Sequence, residues 1–162
     1  MQFHYANPTD NTLRKDAESA VITVFEYDDN SVSQYRLAEV SECAVLTNTS
    51  KKIWINIDGL KRDDVKNICA MFHIDPLIEE DILSIGQRPK YDVFDHFTYC
   101  LMYMLSYDNQ SQALSKEQVS LILGKNFVLT FQEEADKDAF SKVRQRLQNK
   151  ATRMQAYGTD FL

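Results

Sequence analysis

The run Phe97-Thr98-Tyr99-Cys100-Leu101-Met102-Tyr103-Met104-Leu105 carries apolar or aromatic side chains on both of its alternating faces. A strand of that kind is stable only when it is covered on two sides, so the chain is expected to build a sheet with this segment at its centre. The same run is too short for a membrane helix: its unbroken apolar part, Tyr99 to Leu105, has seven residues, against the roughly 20 that cross a bilayer. A chain of 162 residues buries about 70% of the surface its unfolded form exposes, which supports one soluble domain over 1–162 without disulfides. With 18 Lys and Arg against 24 Asp and Glu, the net charge is −6. No concentration of basic residues is present to meet phosphates, so a nucleic-acid partner is not expected.

Elements follow from local patterns. Val21-Ile22-Thr23-Val24-Phe25-Glu26-Tyr27 is β-branched and aromatic, and Asp28-Asp29-Asn30-Ser31 supplies turn chemistry before a second strand over Val32 to Leu37. The two read as a hairpin. Ala38 to Leu46 reads as a short helix, and Ile53 to Ile57 as a strand ended by Asp58-Gly59. Asp63 is placed to cap a helix whose apolar stripe is Val65, Ile68, Cys69 and Phe72, at i, i+3, i+4 and i+7. Asp75-Pro76 starts a second helix, with a capping carboxylate before a proline whose missing N–H costs nothing there. That helix is expected to run to about Ile85 and to stop near Gly86 and Pro89.

Glu117 to Leu123 and Phe127 to Gln132 read as strands joined antiparallel by Gly124-Lys125-Asn126. Phe140, Val143 and Leu147 mark a last helix continuing toward Met154, while the first 18 residues read as a short helix or a loose lead-in. Asp160-Phe161-Leu162 ends on an apolar pair with no stop signal, the pattern expected of a piece of a longer protein, or of a terminal helix that docks Phe161.

Several chemistries find no support. The start Met1-Gln2-Phe3-His4 lacks a basic segment followed by an apolar one, so no secretory leader is expected. Cys43, Cys69 and Cys100 are odd in number and far apart, and read as reduced, mostly buried thiols of a cytosolic protein. Four glycines, Gly59, Gly86, Gly124 and Gly158, form no phosphate loop and no nucleophile elbow. His96 flanks Asp92 and Asp95, but three side chains within five residues do not converge on a zinc ion. His73 ends a helix and reads as a left-handed terminal residue or a rim side chain. Glu133-Glu134-Ala135-Asp136 favours helix initiation. Glu80 and Asp81 point in different directions from one helix, so paired acid–base catalysis is not expected and the chain reads as no enzyme.

One carboxylate stands out. On a helical wheel that starts at Leu77, Asp81 falls at about 40°, beside Ile85, Ile78 and Ile82, whereas Glu79 and Glu80 lie off that stripe. A carboxylate on a packing face is costly unless a cation, a donor or water meets it. Two readings stay open. In one, Asp81 sits at the rim, hydrated or paired with Arg88 or Lys90. In the other, the face meets a second subunit, and Asp81 shares a hard divalent cation such as Mg²⁺ with an acid on that neighbour. Such a site is bistable, because two carboxylates repel when the ion leaves.

The runs Trp54-Ile55-Asn56-Ile57-Asp58-Gly59, His73-Ile74-Asp75-Pro76-Leu77-Ile78-Glu79-Glu80-Asp81-Ile82-Leu83, Gln87-Arg88-Pro89-Lys90 and Glu117-Gln118-Val119-Ser120-Leu121-Ile122-Leu123-Gly124-Lys125-Asn126 occur in one order. With Val128-Leu129-Thr130-Phe131-Gln132-Glu133 they cover 53–162, and they resemble the cytoplasmic domain of CorA-type magnesium and cobalt transport proteins. The resemblance implies an α/β fold, a mixed and largely antiparallel sheet flanked by helices. It also implies a homopentamer on the cytoplasmic side of the inner membrane, joined to the bilayer through later helices, with regulatory Mg²⁺ bound between subunits. The position matching the family's ion-binding aspartate is Asp81, with Glu80 beside it; the partner acid belongs to a later segment, so any site in this chain is half of one. His73 stands where many relatives have glycine, and Asp75 where a histidine is usual. The zinc-transporting branch of the family, and a stand-alone binding or interaction domain of the same fold, are the alternatives.

Overall fold

The computed structural model describes residues 14–110, 112–133, 140–149 and 157–162. Seven strands form one sheet: β1 (Val21–Tyr27), β2 (Val32–Leu37), β3 (Lys52–Asp58), β4 (Lys90–Val93), β5 (Phe97–Asp108), β6 (Ala113–Gly124) and β7 (Phe127–Gln132). Their order is β2-β1-β3-β7-β6-β5-β4. All neighbours are antiparallel except β3 and β7, which run parallel with Ile55 opposite Leu129. A parallel pair needs a long crossover. Here the crossover carries α1 (Arg62–Met71), α2 (Pro76–Leu83) and the β4–β6 meander.

Strand alternation divides the core. Ile53, Ile55 and Ile57 point with Ile22 and Val24 to the side covered by α1, through Val65, Ile68 and Cys69, and by α2, through Ile78 and Ile82. Trp54 points the other way, stacked on Phe25 at 4.9 Å and met edge-on by Phe140 at 5.7 Å. Phe140 precedes α3 (Ser141–Gln148), whose Leu147 is buried in this second cluster with Tyr27 and Val128. The short helix expected over Ala38 to Leu46 is a 3-10 helix, Val40–Asn48.

The structure corrects three expectations. The sheet's centre is β7, not the Phe97–Leu105 run: β5 is the sixth strand of seven. Only Phe97, Tyr99 and Leu101 of that run are fully buried, Cys100 and Met102 are half-buried, and Leu105 is 65% exposed. Hydrophobicity on both faces therefore marks a strand whose second face is only partly covered by the described residues. The α1 cap is not Asp63, which lies in the helix's first turn. Asp16 instead accepts the Arg62 amide at 2.9 Å, a contact from another part of the chain. Finally, α2 ends at Leu83 rather than near Ile85.

Asp75 does cap α2, accepting from Leu77 N at 2.9 Å, with proline at the first helical position. The expected continuation of α3 toward Met154 and the charged run from Glu134 to Asp136 lie outside the described residues. Cys43 and Cys69 are buried and free, and Cys100 is half-buried. Burial pushes the thiols of Cys43 and Cys69 up to about 12, so both stay protonated and unreactive at neutral pH.

Candidate functional site

Asp81 is held between α2 and the edge strand β4. Its carboxylate accepts from the Lys90 ammonium, which also lies 3.9 Å from Asp92. Lys90 faces Leu101 across the β4–β5 ladder and reaches onto the helix side of the sheet, passing over the Tyr99 ring at 5.7 Å. Side-chain exposures are 15% for Asp81 and 35% for Lys90, so the pair sits at a rim and is not sealed. Below it, Gln118 of β6 donates to the carbonyl of Ser84 at 3.0 Å and, more weakly, to that of Asp81 at 3.4 Å. Burial raises the Tyr99 phenol well above its usual range; the carboxylates of Asp81 and Asp92 add to the effect.

The helix wheel needs one correction. Leu77 is 69% exposed and Ile85 41%, while Ile78, Ile82 and Leu83 carry the packing. Leu77 and Asp81 are spaced i and i+4 on α2, so a half-buried carboxylate lies beside one exposed aliphatic side chain, while Ile85 falls beyond the extended cap Ser84 and off the helix face. Glu80 and Asp81 both lie in the last turn of α2, which has no basic residue. A helix's C-terminal end carries partial negative charge, so acids there call for a cation from elsewhere. Within the chain Lys90 supplies it; Asp81 and Glu80 offer hard oxygen donors of the kind that suit Mg²⁺.

Other candidates separate. His96 Nε2 donates to the carbonyl of His73 at 2.8 Å rather than joining Asp92 and Asp95. His73 is left-handed, φ +54°, as its place after a helix implies. Among the described residues no three His, Cys, Asp or Glu side chains are grouped to hold a metal. No described helix is long and apolar enough to cross a membrane.

The sequence reading missed a polar inlay on the Trp54 side of the sheet. Trp54 Nε1 donates to Thr130 Oγ1 at 2.9 Å, Thr130 Oγ1 to Asn56 Oδ1 at 2.6 Å, and Asn56 Nδ2 to Asp58 Oδ2 at 2.8 Å. Gln132 Nε2 donates to the other Asp58 oxygen. The signal was alternation: Trp54, Asn56 and Asp58 share one face of β3, opposite Val128, Thr130 and Gln132 of β7.

Residues 50–159 match the model of the CorA-like Mg²⁺ transporter protein family. The chain belongs to that family. The cobalt/magnesium transport protein CorA of Thermotoga maritima is 38% identical over 131 residues, 80% of this chain and 37% of that protein. The chain thus spans little more than a third of that CorA's length. Among solved structures, the soluble domain of CorA from Methanocaldococcus jannaschii superposes with a TM-score of 0.52 at 12% identity, covering 83% of this chain and 48% of that one. The full-length CmaX protein gives 0.61 at 9% identity, covering 88% and 42%. At those identities the likeness shows the fold, and it is the α/β fold with a mixed, largely antiparallel sheet described above.

Proposed function

We propose that this chain is the cytosolic, ion-sensing domain of a homopentameric CorA-like Mg²⁺/Co²⁺ channel, tied to the inner membrane by helices beyond it, and that it is not an enzyme. In this reading Asp81, with Glu80 beside it, is half of a weak regulatory Mg²⁺ site completed by an acid of a neighbouring subunit. The observation that carries it is Asp81 in the last turn of α2, one turn on from the exposed Leu77: a carboxylate beside an exposed aliphatic residue at the negative end of a helix. An exposed apolar group of this kind fits a protein neighbour, and the carboxylate beside it fits a shared cation.

Lys90 then has a defined part. While no dication is bound, its ammonium satisfies Asp81 within the subunit. A divalent ion bridging two subunits competes with that pair, and its release returns Asp81 to Lys90 and removes the bridge that holds the subunits together. In the full-length protein, Asp81→Ala abolishes Mg²⁺-dependent closure in a flux assay. A closure response unchanged by that substitution rejects the reading.

A further inference from the structure

At the end of the sheet where β3 and β7 begin, four turns of the chain line an open cavity of about 420 Å³. That lies in the range of small-molecule sites, about 300–1,000 Å³. The turns are the end of the 3-10 helix, the end of α1, the β4–β5 turn and the β6–β7 turn. The floor is apolar: Leu46, Ile53 and Phe72 are buried, and the rings of Phe72 and Phe127 lie 4.9 Å apart. The rim carries one cation, Lys125, and two imidazoles, those of His73 and His96, and no Asp or Glu is among its lining residues. In a chain of net charge −6, this is a local reversal of charge that favours an anion.

The rim is also held in place before any ligand arrives. Ile74 N donates to Cys69 O at 2.9 Å and His73 N to Ala70 O at 3.3 Å, the paired bonds that end a helix on a left-handed residue. Glycine adopts that conformation without steric cost, so a histidine there is kept at the expense of stability. The His73 carbonyl accepts from His96 Nε2, which fixes the second ring. Asn126, beside Lys125, is pinned by Ile53 N to its carbonyl at 2.9 Å and by its Nδ2 to Thr49 O at 3.2 Å. The backbone that carries His73 and Lys125 is thus set before any ligand arrives, which lowers the ordering cost of binding.

We propose that this cavity binds a small organic anion, its carboxylate or phosphate meeting Lys125 and His73 and its flat apolar body lying over Phe72 and Phe127. It is separate from the Asp81 site: neither Asp81, Glu80 nor Lys90 lines it.

Titration of the 162-residue chain with adenosine monophosphate and with benzoate, followed by amide chemical shifts, tests this. At least one probe is expected to saturate with shifts centred on Thr47, His73 and Lys125; tighter binding of the first assigns a phosphate, of the second a carboxylate. Lys125→Met weakens it about tenfold, the scale of one charge-assisted contact. His73→Gly weakens binding while raising Tm by a few degrees, because the left-handed strain is relieved. A purely structural histidine would move Tm alone. No saturation by either probe at about 5 mM, or affinities unchanged in both variants, overturns the proposal. Inorganic phosphate binding as tightly as adenosine monophosphate overturns the part given to the apolar floor.

Discussion

Asp58 and Asp81 are both carboxylates at the end of a secondary-structure element, and they are solved in opposite ways. Asp58 ends β3 at 8% exposure, with Asn56 and Gln132 donating to its two oxygens. The Arg144 guanidinium lies within electrostatic reach; burial lowers its pKa and Asp58 opposes that. Asp81 meets Lys90 at a rim where the ammonium itself is one-third exposed. Several fixed donors in the interior make a permanent structural anion, whereas one flexible cation at an edge makes an anion that a competing cation can take over. The difference between them lies in their surroundings, since the residue type is the same.

The contrast breaks most visibly under truncation. Asp58→Ala leaves buried amide donors without their acceptor and is expected to cost about 3 kcal/mol, read as a lower urea midpoint. A loss below about 1 kcal/mol would show the inlay to be as replaceable as a surface pair.

The thiols extend the contrast between sealed and rim positions. Burial raises Cys43 and Cys69 from the ordinary 9.0 to about 12 in the folded chain. Their neutral form is the one the fold favours, so that stabilisation is complete below pH 9.0 and is lost as pH rises through about 12. Each adds up to about 1.4 kcal/mol per pH unit to the alkaline fall in stability. Tyr27 acts in the same direction between 10.0 and about 12, through burial first and Asp160 second. Urea midpoints across this range measure the slope, and Cys69→Ala is expected to flatten it.

At the rim the effects are smaller. Asp81→Ala is expected to cost under about 1 kcal/mol in this chain, because Lys90 rehydrates. A loss as large as that of Asp58→Ala would mean that Asp81 is a structural residue. Lys90→Met frees Asp81 from its internal competitor and should tighten Mg²⁺ binding by the 162-residue chain about threefold, measured calorimetrically. Unchanged or weaker binding would show that Lys90 does not compete for the carboxylate.

Much of the molecule was legible in its residues because the signals are local. β1, β2, β3 and β7 follow from β-branched runs bounded by turn chemistry, α1 from its Val65, Ile68, Cys69 stripe, and the α2 start from Asp75-Pro76. Asp81 was legible as a misplaced carboxylate, and Lys90 as one of two cations that could meet it. The order of strands was not legible. A run such as Phe97–Leu105 records its own hydrophobicity and not how many neighbours it has, so β5 looked central and stands next to the edge.

What the sequence by itself determined is most of the elements and the family, since both rest on residues read in order; β4, Lys90–Val93, was not among them. Tertiary structure alone decided which cation reaches Asp81, that Asp16 rather than Asp63 caps α1, and that Asn56, Asp58, Thr130 and Gln132 form one inlay. The physical reason is range. Periodicity and capping act over a few residues, whereas Asp58 and Gln132 are 74 positions apart and meet only because β3 and β7 run side by side.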